Sequence, residues 1–139
     1  MIVVDASVLI KCLLPEKGSE EARTLVAEQS CAAPELIVSE CANALWKNVR
    51  LSRVTAFEAR QAETILGELG LELVRMTPLT VRALDLSLKL DHPAYDCFYL
   101  ALAETRGSDL VTADGAFLRK VADARVTPIR IRHLWETAP

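Results

Sequence analysis

Four acidic residues in this chain stand where carboxylate chemistry can be arranged, although they lie far apart in sequence: Asp5, Glu40, Asp96 and Asp114. Asp5 closes the apolar stretch Ile2-Val3-Val4, and Asp114 follows Leu110-Val111-Thr112. Both fall at or just past the carboxyl end of an expected strand, where open parallel sheets bind ligands. Each also precedes an expected helix, and Asp is a good N-cap, so capping alone accounts for either one taken singly. Asp96 is harder to explain that way. It sits in Tyr95-Asp96-Cys97-Phe98-Tyr99-Leu100-Ala101-Leu102-Ala103, a segment otherwise apolar all round and so expected to be mostly buried. A carboxylate there is costly unless it is paired or coordinates a metal. The functional reading ranks ahead of a buried hydrogen bond to a backbone amide or a tyrosine. Glu40 shares a helix face with Asn43 and Lys47, and by spacing alone that face reads as solvated.

The elements that must position these residues alternate between short apolar strands and helices. Strands are expected at 2–4, weakly at 31–33, at 71–76, 109–112 and 128–131. Helices are expected at 6–14, 19–28, 34–51, 55–68, 77–90, 93–106 and 116–122. Pro34 suits an early helical position because its missing N–H is not needed there. Thr55 and Glu58 form a T-x-x-E capping box, and Gly107 closes the helix that carries Asp96. This alternation predicts an α/β fold with a parallel sheet, helices lying on both faces through right-handed crossovers. No repeat, low-complexity tract or linker appears, so residues 1–139 are expected to form a single domain.

The length suits one domain with a sizeable core. No apolar run is long enough to cross a bilayer, and the N-terminus lacks a basic leader, so a cytoplasmic location with no membrane partner is expected. The four cysteines form no C-x-x-C pair and no zinc spacing, and read as buried, reduced, small hydrophobes. The net charge of −3 argues against a nucleic-acid partner. Setting the four candidate acids aside leaves 15 acidic against 16 basic residues, so nucleic-acid binding must rest on local patches. Aromatic residues are too scarce for an extensive base-stacking platform. Tyr95, Phe98 and Tyr99 read as core, and Trp46 and Trp135 as candidates for an interface.

The residues resemble the PIN-domain ribonucleases, in particular the VapC-type toxins of toxin–antitoxin pairs. The resemblance is carried by V-V-D-A-S at the N-terminus, S-E-C-A-N-A-L, Y-D-C-F-Y-L-A-L-A and L-V-T-A-D-G-A-F, in family order from Val3 to Phe117. It implies a three-layer α/β/α fold with a central parallel sheet of about five strands. Asp5, Glu40, Asp96 and Asp114 match the family's acidic quartet, Ser7 and Thr112 its small hydroxyl positions, and Asn43 the polar partner one helical turn after the glutamate. The resemblance further implies an RNA substrate, a small VapB-like antitoxin that blocks the site, and a homodimer.

Such a quartet suits Mg²⁺, with Mn²⁺ as an alternative, because hard cations prefer oxygen ligands. Asp5 and Asp96 are the first choice as direct ligands. Asp114 and Glu40 would complete the site directly or through water, and one of them would help deprotonate the attacking water. Ser7 and Thr112 would orient the ligands, and Asn43 would hold Glu40 or touch substrate. Hydrolysis by a metal-activated water leaves a 5′-phosphate and a 3′-hydroxyl. The alternative route through the RNA 2′-hydroxyl needs acid and base side chains. Only His92 and His133 are available, one before a proline and one in the C-terminal tail, with no obvious partners. Lys11, Lys47 and Arg50, then Arg53, Arg119 and Lys120, are candidate phosphate contacts, although each singly reads as solvated charge. The helices 34–51 and 55–68 are the candidate dimer or antitoxin surface. A haloacid-dehalogenase-type phosphotransfer domain would need a second Asp where Ser7 stands. A response-regulator receiver would need an Asp after the third strand, where Arg75-Met76-Thr77 stands. A catalytically inactive PIN-like module that binds RNA or protein is the remaining alternative.

Overall fold

A computed structural model describes residues 1–136. Five strands, β1 (Ile2–Val4), β2 (Cys31–Pro34), β3 (Glu72–Val74), β4 (Leu110–Thr112) and β5 (Ile131–His133), form one sheet in the order β3-β2-β1-β4-β5. All four pairings are parallel. The central strands, Ile-Val-Val, Cys-Ala-Ala-Pro and Leu-Val-Thr, are short and have every residue buried, as a sheet covered on both faces requires. The helices are α1 (Ala6–Leu13), α2 (Ser19–Glu28), α3 (Leu36–Arg50), α4 (Ala56–Glu68), α5 (Thr80–Leu90), α6 (Ala94–Arg106) and α7 (Gly115–Ala124). They divide into a group in which α1 packs on α2, α3 and α4, and a second in which α5 packs on α6 and α7. From β1 the chain steps outward through β2 to β3, then returns to β4 on the other side of β1 and ends at β5. Right-handed crossovers in opposite directions put the two helix groups on opposite faces, giving the expected three-layer α/β/α arrangement.

Several boundaries differ from expectation. Pro34 belongs to β2, opposite Val74, and α3 begins two residues later. The missing N–H costs nothing at a strand's last residue, and Glu35 N takes over the pairing with a 2.8 Å bond to Val74 O. β3 is shorter than the run 71–76, because a 3-10 turn over Thr77–Leu79 leads into α5. β5 is shifted from 128–131 to Ile131–His133, so that His133 lies in the sheet beside Thr112. Pro128 cannot donate to a ladder, which removes the earlier register. The N-cap half of the capping box forms, Thr55 Oγ1 accepting from Glu58 N at 3.1 Å, while Glu58 Oε1 accepts from the Thr55 hydroxyl at 3.0 Å.

All four cysteines are free and buried. Burial pushes the Cys41 thiol up to about 12 and Cys12 and Cys97 up to about 11, so they are inert packing groups. Among the described residues, no helix is long and apolar enough to cross a membrane.

Candidate active site

β1 and β4 are neighbours that the chain leaves in opposite directions, to β2 and to β5, so the gap beyond their carboxyl ends is the topological switch point of the sheet. Asp5 leaves β1 there, and Thr112, Ala113 and Asp114 leave β4. Asp5 caps α1, its Oδ1 accepting from Val8 N at 3.2 Å. The same oxygen accepts from the Ser7 hydroxyl at 2.5 Å, and Oδ2 accepts from the Thr112 hydroxyl at 2.5 Å. Ser7 Oγ in turn accepts from Ala113 N at 2.8 Å, and Thr112 Oγ1 accepts from Asp114 N at 3.0 Å. The two hydroxyls therefore fix Asp5 and fasten the end of β4 to the start of α1. Asp114 caps α7 through a 3.1 Å bond from Phe117 N to Oδ1. Capping is thus correct for both aspartates and is compatible with a site, since Asp114 remains exposed.

Asp5 is a buried carboxylate with no basic side chain paired to it among the described residues. Burial raises its pKa from 3.8 to about 6, against the lowering effect of the Ser7, Thr112 and Val8 bonds, and the charge of Asp96 raises it further. Glu40, half-buried on α3, is also shifted upward, first by burial and then by the charge of Asp96, with a bond from Tyr99 opposing. Asp5 and Glu40 therefore both lie in the field of Asp96. Asp114 shares with Glu40 a cleft of about 450 Å³, lined also by Ser7, Lys11 and Glu16, whereas Asp5 and Asp96 are not among its lining residues.

Two partners were not foreseen. The Tyr99 hydroxyl donates to Glu40 Oε1 at 2.5 Å across 59 residues of sequence. Tyr99 is core as expected, at 1% exposure, yet its hydroxyl serves the site. A buried tyrosine must find an acceptor for its O–H, which was the available signal. Asn43, expected to hold Glu40 or to touch substrate, is exposed. The second surprise is His92, whose Nε2 lies 2.6 Å from Asp96 Oδ2. The expectation that His92 lacks a partner is corrected: the turn through Pro93, just before α6, folds the ring back onto the carboxylate in the first helical turn. Asp96 is also not buried in apolar surroundings. Its side chain is 37% exposed, because the first turn of α6 emerges at the rim of the sheet, where Tyr95 too is exposed rather than core.

The basic candidates are dispersed. Lys11 lines the cleft, but its Nζ bonds Glu16 Oε1 at 3.2 Å and Lys17 O at 2.8 Å. Lys47, Arg50, Arg53 and Arg119 are exposed, with Arg50 lying 5.6 Å over the Trp46 ring. Lys120 donates to Asp91 O at 2.7 Å. His133 stacks on Trp135 with centroids 4.7 Å apart.

The donors are carboxylate and hydroxyl oxygens without a neutralising side chain, a set whose chemistry fits a hard divalent cation. Among the described residues, no three Asp, Glu, His or Cys side chains are gathered closely enough to form a ready-made metal cage. Each acid is instead drawn toward its own partner: Asp5 to the hydroxyls, Glu40 to Tyr99, Asp96 to His92 and Asp114 to the α7 amide. Carboxylates that repel one another gain from such separation.

Comparison with known proteins gives a consistent result. Residues 2–123 match the PIN domain family. Ribonuclease VapC3 of Pyrobaculum aerophilum is 35% identical over 130 residues, covering 91% of this chain and 98% of that protein. Ribonuclease VapC9 of Mycobacterium tuberculosis is 35% identical over 114 residues, covering 82% and 86%. Among solved structures, PAE2754 from Pyrobaculum aerophilum superposes with a TM-score of 0.73 at 26% identity, covering 97% of this chain and 84% of that one. A toxin–antitoxin complex from Klebsiella pneumoniae shares the fold at a TM-score of 0.65 and 16% identity, covering 94% of this chain and 100% of that one.

Proposed function

Because this chain belongs to the PIN-domain family, we propose that it is a divalent-metal-dependent endoribonuclease, the toxin of a VapBC-type toxin–antitoxin pair. The observation that carries the reading is Asp5: a buried, uncompensated carboxylate at the sheet's switch point, in the field of Asp96. Its relatives named as VapC ribonucleases support the activity.

In this reading Asp5, Asp96 and Asp114 hold Mg²⁺ or Mn²⁺. Such a cation, when bound, lowers the pKa of water, orients a phosphate and offsets developing charge. The chain's own residues do the rest. Ser7 and Thr112 keep both oxygens of Asp5 oriented. Glu40, with its upward-shifted pKa and its oxygen held by Tyr99, accepts the proton of the attacking water. His92 is committed to Asp96, so the chain offers no free pair of histidines for attack by the RNA 2′-hydroxyl. Water attack then yields a 5′-phosphate and a 3′-hydroxyl.

The partner in this reading is a small VapB-like antitoxin, in keeping with the toxin–antitoxin complexes among the structural neighbours. The α3–α4 pair exposes Trp46, Leu51, Phe57 and Ile65, an apolar patch suited to the antitoxin or to a second copy in a homodimer. The cytoplasm is the expected location.

The test is cleavage of a labelled RNA with Mg²⁺, Mn²⁺ or chelator, followed by analysis of the new ends. Metal-dependent cleavage with 5′-phosphate ends is expected. Cleavage in excess chelator, or 2′,3′-cyclic phosphate ends, would refute the mechanism.

A further inference from the structure

His92 touches both of the late acid-bearing elements. Its Nε2 lies 2.6 Å from Asp96 Oδ2 at the start of α6, and its ring packs on Phe117 of α7 with centroids 4.8 Å apart. Phe117 is the residue whose amide holds Asp114 Oδ1 at 3.1 Å. The His92 backbone is itself firmly held. His92 N donates to Ser87 O at 3.2 Å, and the Ser87 hydroxyl donates back to the His92 carbonyl. Asp91 before it adopts a left-handed conformation with φ 50°, tied by Lys120 Nζ at 2.7 Å, and Pro93 fixes the backbone after it. The side chain is only 17% exposed. A turn this constrained is more than is needed to join two helices, and what it presents to Asp96 is one ring nitrogen.

We propose that His92 is a positioning residue for the metal-binding acids, donating Nε2–H to Asp96 Oδ2 and bracing the start of α7 through Phe117. The inference rests on the metal-dependent reading above. The carboxylate is the acceptor, so Nε2 carries the hydrogen of this bond. The bond occupies one oxygen of Asp96 and selects its rotamer, leaving the other oxygen for a cation or its water. Without the donor, Asp96 at the exposed rim samples several rotamers, and binding must pay to order it. Outer partners of ligating groups typically contribute 10–100-fold in metal affinity.

The experiment measures Mn²⁺ binding to the metal-free protein without RNA, by the electron paramagnetic resonance signal of free Mn²⁺, at fixed pH. His92→Leu removes the donor and is expected to weaken binding ~10-fold or more. His92→Gln, whose amide nitrogen reaches about as far as Nε2, should bind closer to wild type than to the leucine variant. Asp96→Asn is the control for the site itself and should bind at least as weakly as His92→Leu. If His92→Leu does not fold, His92→Phe keeps a ring against Phe117 without the donor and takes its place. Wild-type affinity in the donor-less variant, with Asp96→Asn weakened, overturns the role of His92 and leaves the metal site standing. Equal weakening in His92→Gln and His92→Leu also overturns it, since the bond then contributes nothing. Wild-type affinity in Asp96→Asn overturns both readings.

Discussion

Helix α6 ends in two acidic clusters that solve the same electrostatic problem differently. At its last turn Glu104 takes a two-pronged grip from Arg82, at 2.7 Å and 2.9 Å, and Arg82 also holds Asp85, which is shared with Lys89 at 3.1 Å. Those cations lower the pKa of Glu104 and of Asp85. At the first turn Asp96 faces Asp5 and Glu40, whose polar partners are hydroxyls and amides, and both of those acids are shifted upward. A hydroxyl can orient a carboxylate but cannot neutralise it. The first cluster is electrostatically complete; the second is geometrically held and electrically unfinished, which is the condition of a site that takes its positive charge from outside.

The strongest way to break the comparison is to remove the unfinished charge. Asp5→Asn should abolish metal-dependent RNA cleavage, by ~10³-fold or more, since ligation supplies several kcal/mol of transition-state stabilisation. It should also stabilise the metal-free fold at neutral pH. The folded pKa of Asp5, about 6, lies above its ordinary 3.8, so the native state binds the extra proton. Stability from this group is full below 3.8 and is lost as pH rises through about 6. At 1.36 kcal/mol per unit the neutral-pH penalty is roughly 3 kcal/mol, less the cost of turning an amide nitrogen toward Thr112. Denaturant titrations in chelator from pH 4 to 8 read the difference. A variant less stable than wild type at pH 7.5 contradicts this account of Asp5.

The second way is to supply the missing charge. Mn²⁺ or Mg²⁺ at about 100 times its dissociation constant should add ~2.7 kcal/mol to the fold. That raises the melting temperature by roughly 8 °C for a chain of this size. NaCl at matched ionic strength should not do so, and the Asp5→Asn variant should respond weakly. An unchanged melting temperature in wild type would mean that the acids do not assemble around a cation.

The α/β alternation was legible because short, wholly buried strands read as continuous apolar runs, and because helix caps are local. Asp5 and Asp114 were legible for the same reason: strand ends and caps are both local. Pro34 and β5 were misjudged at their boundaries, where the partner strand decides the register and a single sequence does not display it. Asp96 was singled out on a premise that failed, since helical periodicity cannot tell that the first turn of α6 emerges at the rim. The Tyr99–Glu40 bond was invisible for a deeper reason. It joins residues 59 apart on different helices, and only the packed sheet sets that distance. His92 and Asp96 are only four residues apart, but His92 lies outside α6, before the non-helical Pro93, so the turn and not helical spacing brings the ring to the carboxylate.

The smallest expected effect comes from damaging the complete cluster. Arg82→Met leaves Glu104 partly buried and unpaired, and should cost about 1 kcal/mol, as semi-exposed ion pairs do, or roughly 3 °C in melting temperature. Cleavage rate and the response to Mn²⁺ should be unchanged, because Arg82 acts on Glu104, Asp85 and Val126 O rather than on the site acids. The pH dependence runs opposite to that of Asp5. Glu104 is lowered from 4.5, so its pairing contributes above 4.5 and is lost as pH falls through the lower folded value. At pH 7.5 the metal-free variants should therefore bracket wild type, Asp5→Asn above and Arg82→Met below. On acidification the first difference shrinks between about 6 and 3.8, and the second only below about 4.5. A common window for both would mean that the two clusters are not electrostatically separate, and that the upward shift of Asp5 belongs to the acidic surface as a whole and not to the switch point.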